Sequence, residues 1–217
     1  AQSLNCRFDT KFSQNNIIMT VGAAGGLNVA LKTLLDPGDE VIAFAPYFGE
    51  YNNYVANFDG VMVVVPADVP SFQLDLETFA KKITAKTKAV IVNNPNNPTG
   101  TYVGRKQVVD FIKKVPDDII VLMDEAYLEF ATAKDCQSMY PLIKEMPDKP
   151  IIVLKTFSKY YGMAGVRVGY ALAAPELIAA IEKCPSAMIS KAGQAGAVAA
   201  LEDQEYYQEV KKKIVEG

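Results

Sequence analysis

The sequence predicts an α/β protein: a three-layer α/β/α sandwich around a mostly parallel sheet of about seven strands. Three observations carry this. Half of the 217 residues are apolar and 22% are charged, the balance of a folded globular chain. Short runs rich in Val and Ile recur along the sequence, and they are largely continuous rather than alternating, as strands covered on both faces are. Helix-like stretches separate these runs, and strand alternating with helix builds a parallel sheet.

The strand runs are residues 17–20, 41–45, 61–65, 89–93, 119–123, 151–154 and 168–172. A first helix, 24–35, follows a Gly-rich turn and stops at Asp36-Pro37-Gly38. The stretch 48–58 opens after Pro46, and 76–83 follows Asp75, a side chain suited to cap a helix start. Residues 105–114 place Val108, Val109, Phe111 and Ile112 for burial and end before Pro116. Residues 175–183 begin with Pro at a helix start, where its missing donor costs nothing. Residues 190–215 are Ala-rich and then charged, and read as one long helix.

Composition excludes several chemistries. The chain has no His, so Ser-His-Asp catalysis, imidazole general bases and His-ligated metals are out. Acid–base work falls to Lys, Asp, Glu, Tyr or Cys. The net charge of −3 gives no nucleic-acid footprint, and the run Lys211-Lys212-Lys213 reads as a solvated helix face. Cys6, Cys136 and Cys184 are odd in number and widely spaced, which fits a reducing cytoplasm rather than a disulfide framework. No apolar run approaches the ~20 residues of a membrane helix. The absent initiator Met leads us to expect that the natural start precedes this sequence.

In parallel sheets ligands sit beyond the carboxyl ends of the strands, so the chemistry is sought there. After the first strand comes VGAAGGLN, residues 21–28. Its glycines allow close approach, and the free amides of the next helix make an anion site; taken alone, a tight strand–helix turn explains it equally well. After the fourth strand comes NNPNNPTG, residues 93–100, where Asn97 precedes a Pro and is held extended. So many Asn suggest a turn whose amide reaches a ligand; taken alone, a purely structural turn explains them equally well. After the fifth strand come Asp124 and Tyr127. A buried Asp124 needs a cation or donors: a protein Arg or Lys, a metal, or a protonated ring nitrogen. After the sixth strand, Thr156 and Ser158 flank Lys159, and Arg167 follows at the mouth of the last strand. Hydroxyls and Arg suit a phosphate. A Lys between them in an apolar setting loses its proton more readily than a surface Lys, the condition for a Schiff-base lysine. Phe48, in PYFGEY, offers a ring for stacking. Phosphate cradle, acid, Asn, amine and stacking ring together match one ligand, pyridoxal phosphate.

Three motifs in this order, NNPNNPTG, DEAYLEF and TFSKYYGMAGVRVGY, resemble the large domain of fold-type I pyridoxal-phosphate enzymes, the aspartate aminotransferase superfamily, and within it the histidinol-phosphate aminotransferase-like branch. The resemblance implies roles. Lys159 would form the Schiff base with pyridoxal 5'-phosphate and shuttle the proton. Asp124 would pair with the pyridine nitrogen, and Asn97 and Tyr127 would bond the phenolic oxygen. Phe48 would stack on the ring. The amides of Ala23 and Ala24, with Thr156, Ser158 and Arg167, would hold the phosphate. It implies ping-pong transfer between an L-amino acid and a 2-oxo acid, a homodimer in the cytoplasm, and no nucleic-acid or membrane partner. Residues 1–190 would be the cofactor-binding domain, and 191–217 a helix leading toward a small C-terminal domain outside this chain. That domain normally supplies the Arg for the substrate carboxylate, and neither Arg7 nor Arg105 matches it, so the fragment is expected to be a poor catalyst alone. VGAAGGLN lacks the acidic residues usual for the histidinol-phosphate branch, which favours a general amino-acid substrate. A lyase or decarboxylase on the same scaffold, or a non-catalytic cofactor-binding fragment, stays open.

Overall fold

In a computed structural model that describes residues 1–184 and 188–217, every one of the expected strand runs is a strand. These are β1 (Ile17–Thr20), β2 (Glu40–Phe44), β3 (Val61–Val65), β4 (Thr87–Asn93), β5 (Ile120–Asp124), β6 (Ile151–Thr156) and β7 (Gly169–Leu172). They form one sheet in the order β1-β7-β6-β5-β4-β2-β3. Only β7 runs against its neighbours, pairing antiparallel with β1 and β6; the other pairings are parallel.

Alternate residues of a strand leave the sheet on opposite faces, and here both faces are apolar. On β4, Ala89 and Ile91 enter one core while Val90 and Val92 enter the other. The first face is covered by α2 (Gly22–Leu34), α3 (Glu50–Ala56) and α7 (Pro175–Ile181), through Leu27, Leu31, Tyr51, Val55, Ile178 and Ile181. The second face is covered by α1 (Gln2–Phe8), α4 (Leu76–Lys82), α5 (Arg105–Lys114) and the short α6 (Leu142–Glu145), through Leu4, Phe79, Phe111 and Leu142. Each such side chain contributes roughly 1.5–3 kcal/mol when fully buried, which is why continuous apolar runs produce a covered sheet. The three-layer sandwich is therefore as the sequence predicts.

The helix ends differ in instructive ways. The α2 helix begins at Gly22, so Ala23 and Ala24 lie in its first turn with their amides at the free end. Asp75 caps α4, accepting the Thr78 N–H at 2.9 Å. The single long helix expected over 190–215 is two helices, α8 (Lys191–Glu202) and α9 (Gln204–Glu216). The break is at Asp203, whose φ/ψ of −86°/60° leaves the helical region and whose side chain accepts the Tyr206 N–H. A new cap there outcompetes continuation. The expected boundary at residue 190 lies just beyond 185–187, which are outside the described residues.

The sheet order places β4 beside both β2 and β5, with the chain continuing outward on each side. That is a topological switch point, where parallel sheets open a crevice at their carboxyl edge. Asn93 and Asp124, the last residues of β4 and β5, are register partners there.

Candidate active site

All ten residues singled out for a ligand line one cavity of about 210 Å³ at this edge. Its far wall is the start of α2. Gly22 has φ +87°, a left-handed conformation that glycine adopts freely. A Cβ built there would sit 3.2 Å from Arg167 Nη2, 3.7 Å from Thr156 Oγ1 and 3.8 Å from Ser158 Oγ. Two hydroxyls and a guanidinium thus converge on a space that only glycine leaves open, next to the amides of Ala23 and Ala24. Arg167 is held by bonds from Nη1 to the Ala164 carbonyl (2.9 Å) and from Nη2 to the Val21 carbonyl (3.1 Å). Its own backbone is left-handed, φ 59°, a conformation unusual for a side chain of this size. The arrangement suits a phosphate group.

At the other end stands Asp124. It is buried, and its hydrogen bonds come from neutral groups: the Tyr51 hydroxyl at 2.6 Å and the Ala126 N–H at 3.0 Å. Burial raises its carboxyl above the ordinary value, with these bonds and the charges of Lys155 and Lys159 opposing. A positive donor arriving in the cavity would favour the carboxylate further. Phe48, at the border of exposure, rests edge-on against Tyr51, with centroids 5.8 Å apart. Lys159 stands in the turn after β6, its Nζ 5.2 Å from the centre of the Tyr127 ring. The apolar surroundings expected for it are not found: Lys159 is exposed.

The Asn-rich turn needs a correction too. Most of its Asn residues serve the backbone. Asn94 exchanges two bonds of 2.9 Å with Val103, and Asn96 donates to the Pro46 carbonyl at 2.8 Å. The Asn93 Oδ1 accepts the Asn97 N–H at 2.7 Å while its Nδ2 donates to the Asp124 carbonyl at 3.3 Å. Asn97 is the member of the turn proper that lines the cavity, beside Asn93 at the strand end.

Sequence reasoning missed Tyr51, the donor to Asp124, and the lining residue Tyr54. In a helix over 48–58, as the sequence suggests, Tyr51 would share a face with Phe48 three positions earlier, although the structure begins that helix at Glu50. That signal was available once Phe48 was chosen. Arg7 and Arg105 border a different cavity, on the other face of the sheet, and Arg105 pairs with Glu145 at 3.1 Å. Arg167 is the arginine of the cavity lining.

The family model for aminotransferase class I and II matches residues 4–216. Histidinol-phosphate aminotransferase 2 of Carboxydothermus hydrogenoformans is 40% identical over 205 residues, covering 94% of this chain and 56% of that protein. Histidinol-phosphate aminotransferase of Bacillus licheniformis is 36% identical, with the same 94% and 56% covered. Among solved structures, histidinol-phosphate aminotransferase from Sinorhizobium meliloti, in complex with pyridoxal-5'-phosphate, superposes with a TM-score of 0.87 at 32% identity, over 99% of this chain and 57% of that one. Aspartate aminotransferase from Thermotoga maritima gives 0.85 at 30% identity, over 98% and 58%. The chain spans about half the length of the curated relatives it matches. With the matched region running nearly end to end, this chain belongs to the aminotransferase class I and II family.

Proposed function

We propose that these 217 residues are the cofactor-binding part of a pyridoxal-phosphate-dependent aminotransferase, which moves an amino group between an L-amino acid and a 2-oxo acid. One observation carries the reading: a glycine-gated phosphate cradle, a buried acid and a lysine share one cavity. The residues fit the group on their own chemistry. Bound there, pyridoxal phosphate supplies an electron sink that stabilises charge at the carbon next to the amino group. Thr156, Ser158, Arg167 and the amides of Ala23 and Ala24 hold the phosphate. Asp124 would accept a hydrogen bond from the protonated ring nitrogen, and Asn97 and Tyr127 would bond the phenolic oxygen. Phe48 would stack on a face of the ring. Lys159 holds the aldehyde and moves the proton at the substrate α-carbon.

Substrate capture draws on more than this chain. Arg167 is committed to the phosphate, and the lining offers no second arginine for a substrate carboxylate. Residues 1–190 as a cofactor-binding domain, 191–217 as the lead into a smaller one, and a homodimer are parts of the same proposal. So is a reducing cytoplasm, which the free thiols of Cys6, Cys136 and Cys184 support. A histidinol-phosphate donor is a second reading, supported by the names of the relatives at 36–40% identity; the absence of acidic residues from VGAAGGLN supports a general amino-acid donor.

The test is covalent mapping. The chain is mixed with pyridoxal phosphate, reduced with borohydride and digested. Mass spectrometry is expected to find the adduct on Lys159 and to lose it in Lys159→Ala. An adduct chiefly elsewhere, or an unchanged yield in the variant, would overturn the reading. The full-length protein, offered amino acids or histidinol phosphate with 2-oxoglutarate, then decides the donor.

A further inference from the structure

Among the described residues, a buried group of three charges lies outside the cavity, on the opposite face of the sheet and under the same strand ends. Lys155, the residue before Thr156, has a side chain 3% exposed; those of Glu125 and Glu129 are 1% and 9% exposed. Lys155 Nζ meets Glu129 Oε1 at 2.5 Å, donates to the Glu125 carbonyl at 3.1 Å and lies 3.9 Å from Glu125 Oε2. The Glu125 carboxylate also accepts the Met139 N–H and the Ser138 hydroxyl, each at 2.7 Å. Such a network adds little stability over apolar packing of the same volume, so its consequence is sought in what it holds.

Its members bracket the turn that carries Tyr127. Glu125 follows Asp124 directly, and its carbonyl, which Lys155 engages, also accepts the Leu128 N–H at 3.2 Å to open the turn. Glu129 lies in the 3-10 turn that closes it, Leu128–Phe130. The ammonium therefore grips both ends of the arch 125–129 from behind the sheet. The two residues displayed on the cavity side, Asp124 and Tyr127, lie just before it and at its middle.

We propose that Lys155 is a positioning residue: by clamping Glu125 and Glu129 it sets how Asp124 and Tyr127 are presented to the bound cofactor. The proposal rests on the pyridoxal-phosphate reading above, and its test separates the two. Glu129→Gln keeps shape and removes the close ion pair; Lys155→Arg keeps the charge; Lys155→Met removes the clamp. Hydrogen exchange of the cofactor-free chain reads the arch directly. Glu129→Gln is expected to speed exchange in 124–130 while β2 and β4 keep their protection, and Lys155→Arg to leave exchange there near wild type. Pyridoxal-phosphate affinity is expected to fall about tenfold in Glu129→Gln, but only slightly when Tyr127→Phe is already present, because coupled residues are non-additive. Lys155→Met is expected to reproduce both effects; where it fails to fold, Glu129→Gln carries the test. Fully additive losses, or unchanged exchange across 124–130, overturn the clamp. A wild-type chain that binds no pyridoxal phosphate, with the exchange response intact, overturns the cofactor reading and leaves the grip on the arch supported.

Discussion

Asp124 and Glu125 are consecutive and both buried, but Asp124 bonds Tyr51 of the first core and Glu125 bonds Met139 of the second. Glu125 is answered from within the protein, by Lys155, Ser138 and Met139. Asp124 is answered by two neutral donors and otherwise looks into a cavity. Desolvation raises both carboxyls. The difference lies in where the compensating charge comes from. An internal ammonium ties Glu125 into the scaffold, while a cavity leaves Asp124 open to a partner from outside the protein. The lysines repeat the contrast: Lys155 is buried and paired, while Lys159, on the cavity side, is exposed.

The hardest test of this contrast is Lys155→Met. It leaves Glu129 and Glu125 without their cation, and breaking a buried pair from one side costs about 3–5 kcal/mol. Urea unfolding of the cofactor-free chain is expected to show that loss. A cost below about 1 kcal/mol would mean that the network is not held as tightly as its burial implies.

Next in size is a pH effect. One ammonium faces two carboxyls, and the one farther from it, Glu125 at 3.9 Å against 2.5 Å for Glu129, has its carboxyl pushed by burial from its ordinary 4.5 to about 7. The folded chain then holds a proton that the unfolded chain has released between those values. Glu125 therefore lowers stability as pH rises from 4.5 to 7, by up to ~1.4 kcal/mol per pH unit, and the loss is complete above 7. Glu125→Gln cannot titrate. Subtracting its stability profile from that of the wild type isolates the slope; parallel profiles would show Glu125 ionised across the window.

On the cavity side, Tyr51→Phe removes the 2.6 Å bond to Asp124. A bond to a charged acceptor contributes roughly 1.5–3 kcal/mol. Asp124 borders a cavity rather than solid packing, so the expected destabilisation is about 1.5 kcal/mol, at the lower end of that range. Thermal unfolding of the cofactor-free chain measures it, and an unchanged midpoint would remove Tyr51 from the support of Asp124.

These tests also mark what was legible in the sequence. Continuous apolar runs place every strand, and residues at the strand ends place the cavity lining, because parallel sheets deliver their carboxyl ends to one edge. What escaped were partnerships across the chain. Tyr51 meets Asp124 over 73 positions of separation, and Lys155 meets Glu125 over 30. Nothing local in DEAYLEF separates the acid that faces the cavity from the acid that faces the core; that follows from the alternation of strand faces only once the sheet is assembled. The break at Asp203 was missed because the Ala-rich stretch holds no Pro there, and the Asp cap competes with helix continuation by a margin of about 1 kcal/mol. In NNPNNPTG both readings hold in part: Asn93, Asn94 and Asn96 satisfy the backbone, as turn Asn side chains do, while Asn97 lines the cavity.

The smallest expected effect is the sharpest comparison with the first. Lys159→Met alters an exposed side chain whose nearest described aromatic partner is the Tyr127 ring, 5.2 Å away. An exposed contact of this kind contributes about 0.5–1 kcal/mol, and the added apolar reach of Met offsets part of it. The cofactor-free variant should thus unfold within about 0.5 kcal/mol of wild type, against several for Lys155→Met only four positions earlier. Added pyridoxal phosphate should then separate the two proteins. A ligand that binds only the folded state stabilises it by about 2.7 kcal/mol at a hundred times its dissociation constant, and Lys159→Met forfeits the covalent share of that affinity. Wild type should therefore gain melting temperature with cofactor while the variant gains far less. Equal gains would show that the cavity holds its ligand without this lysine, and the division between a structural and a chemical lysine would fall.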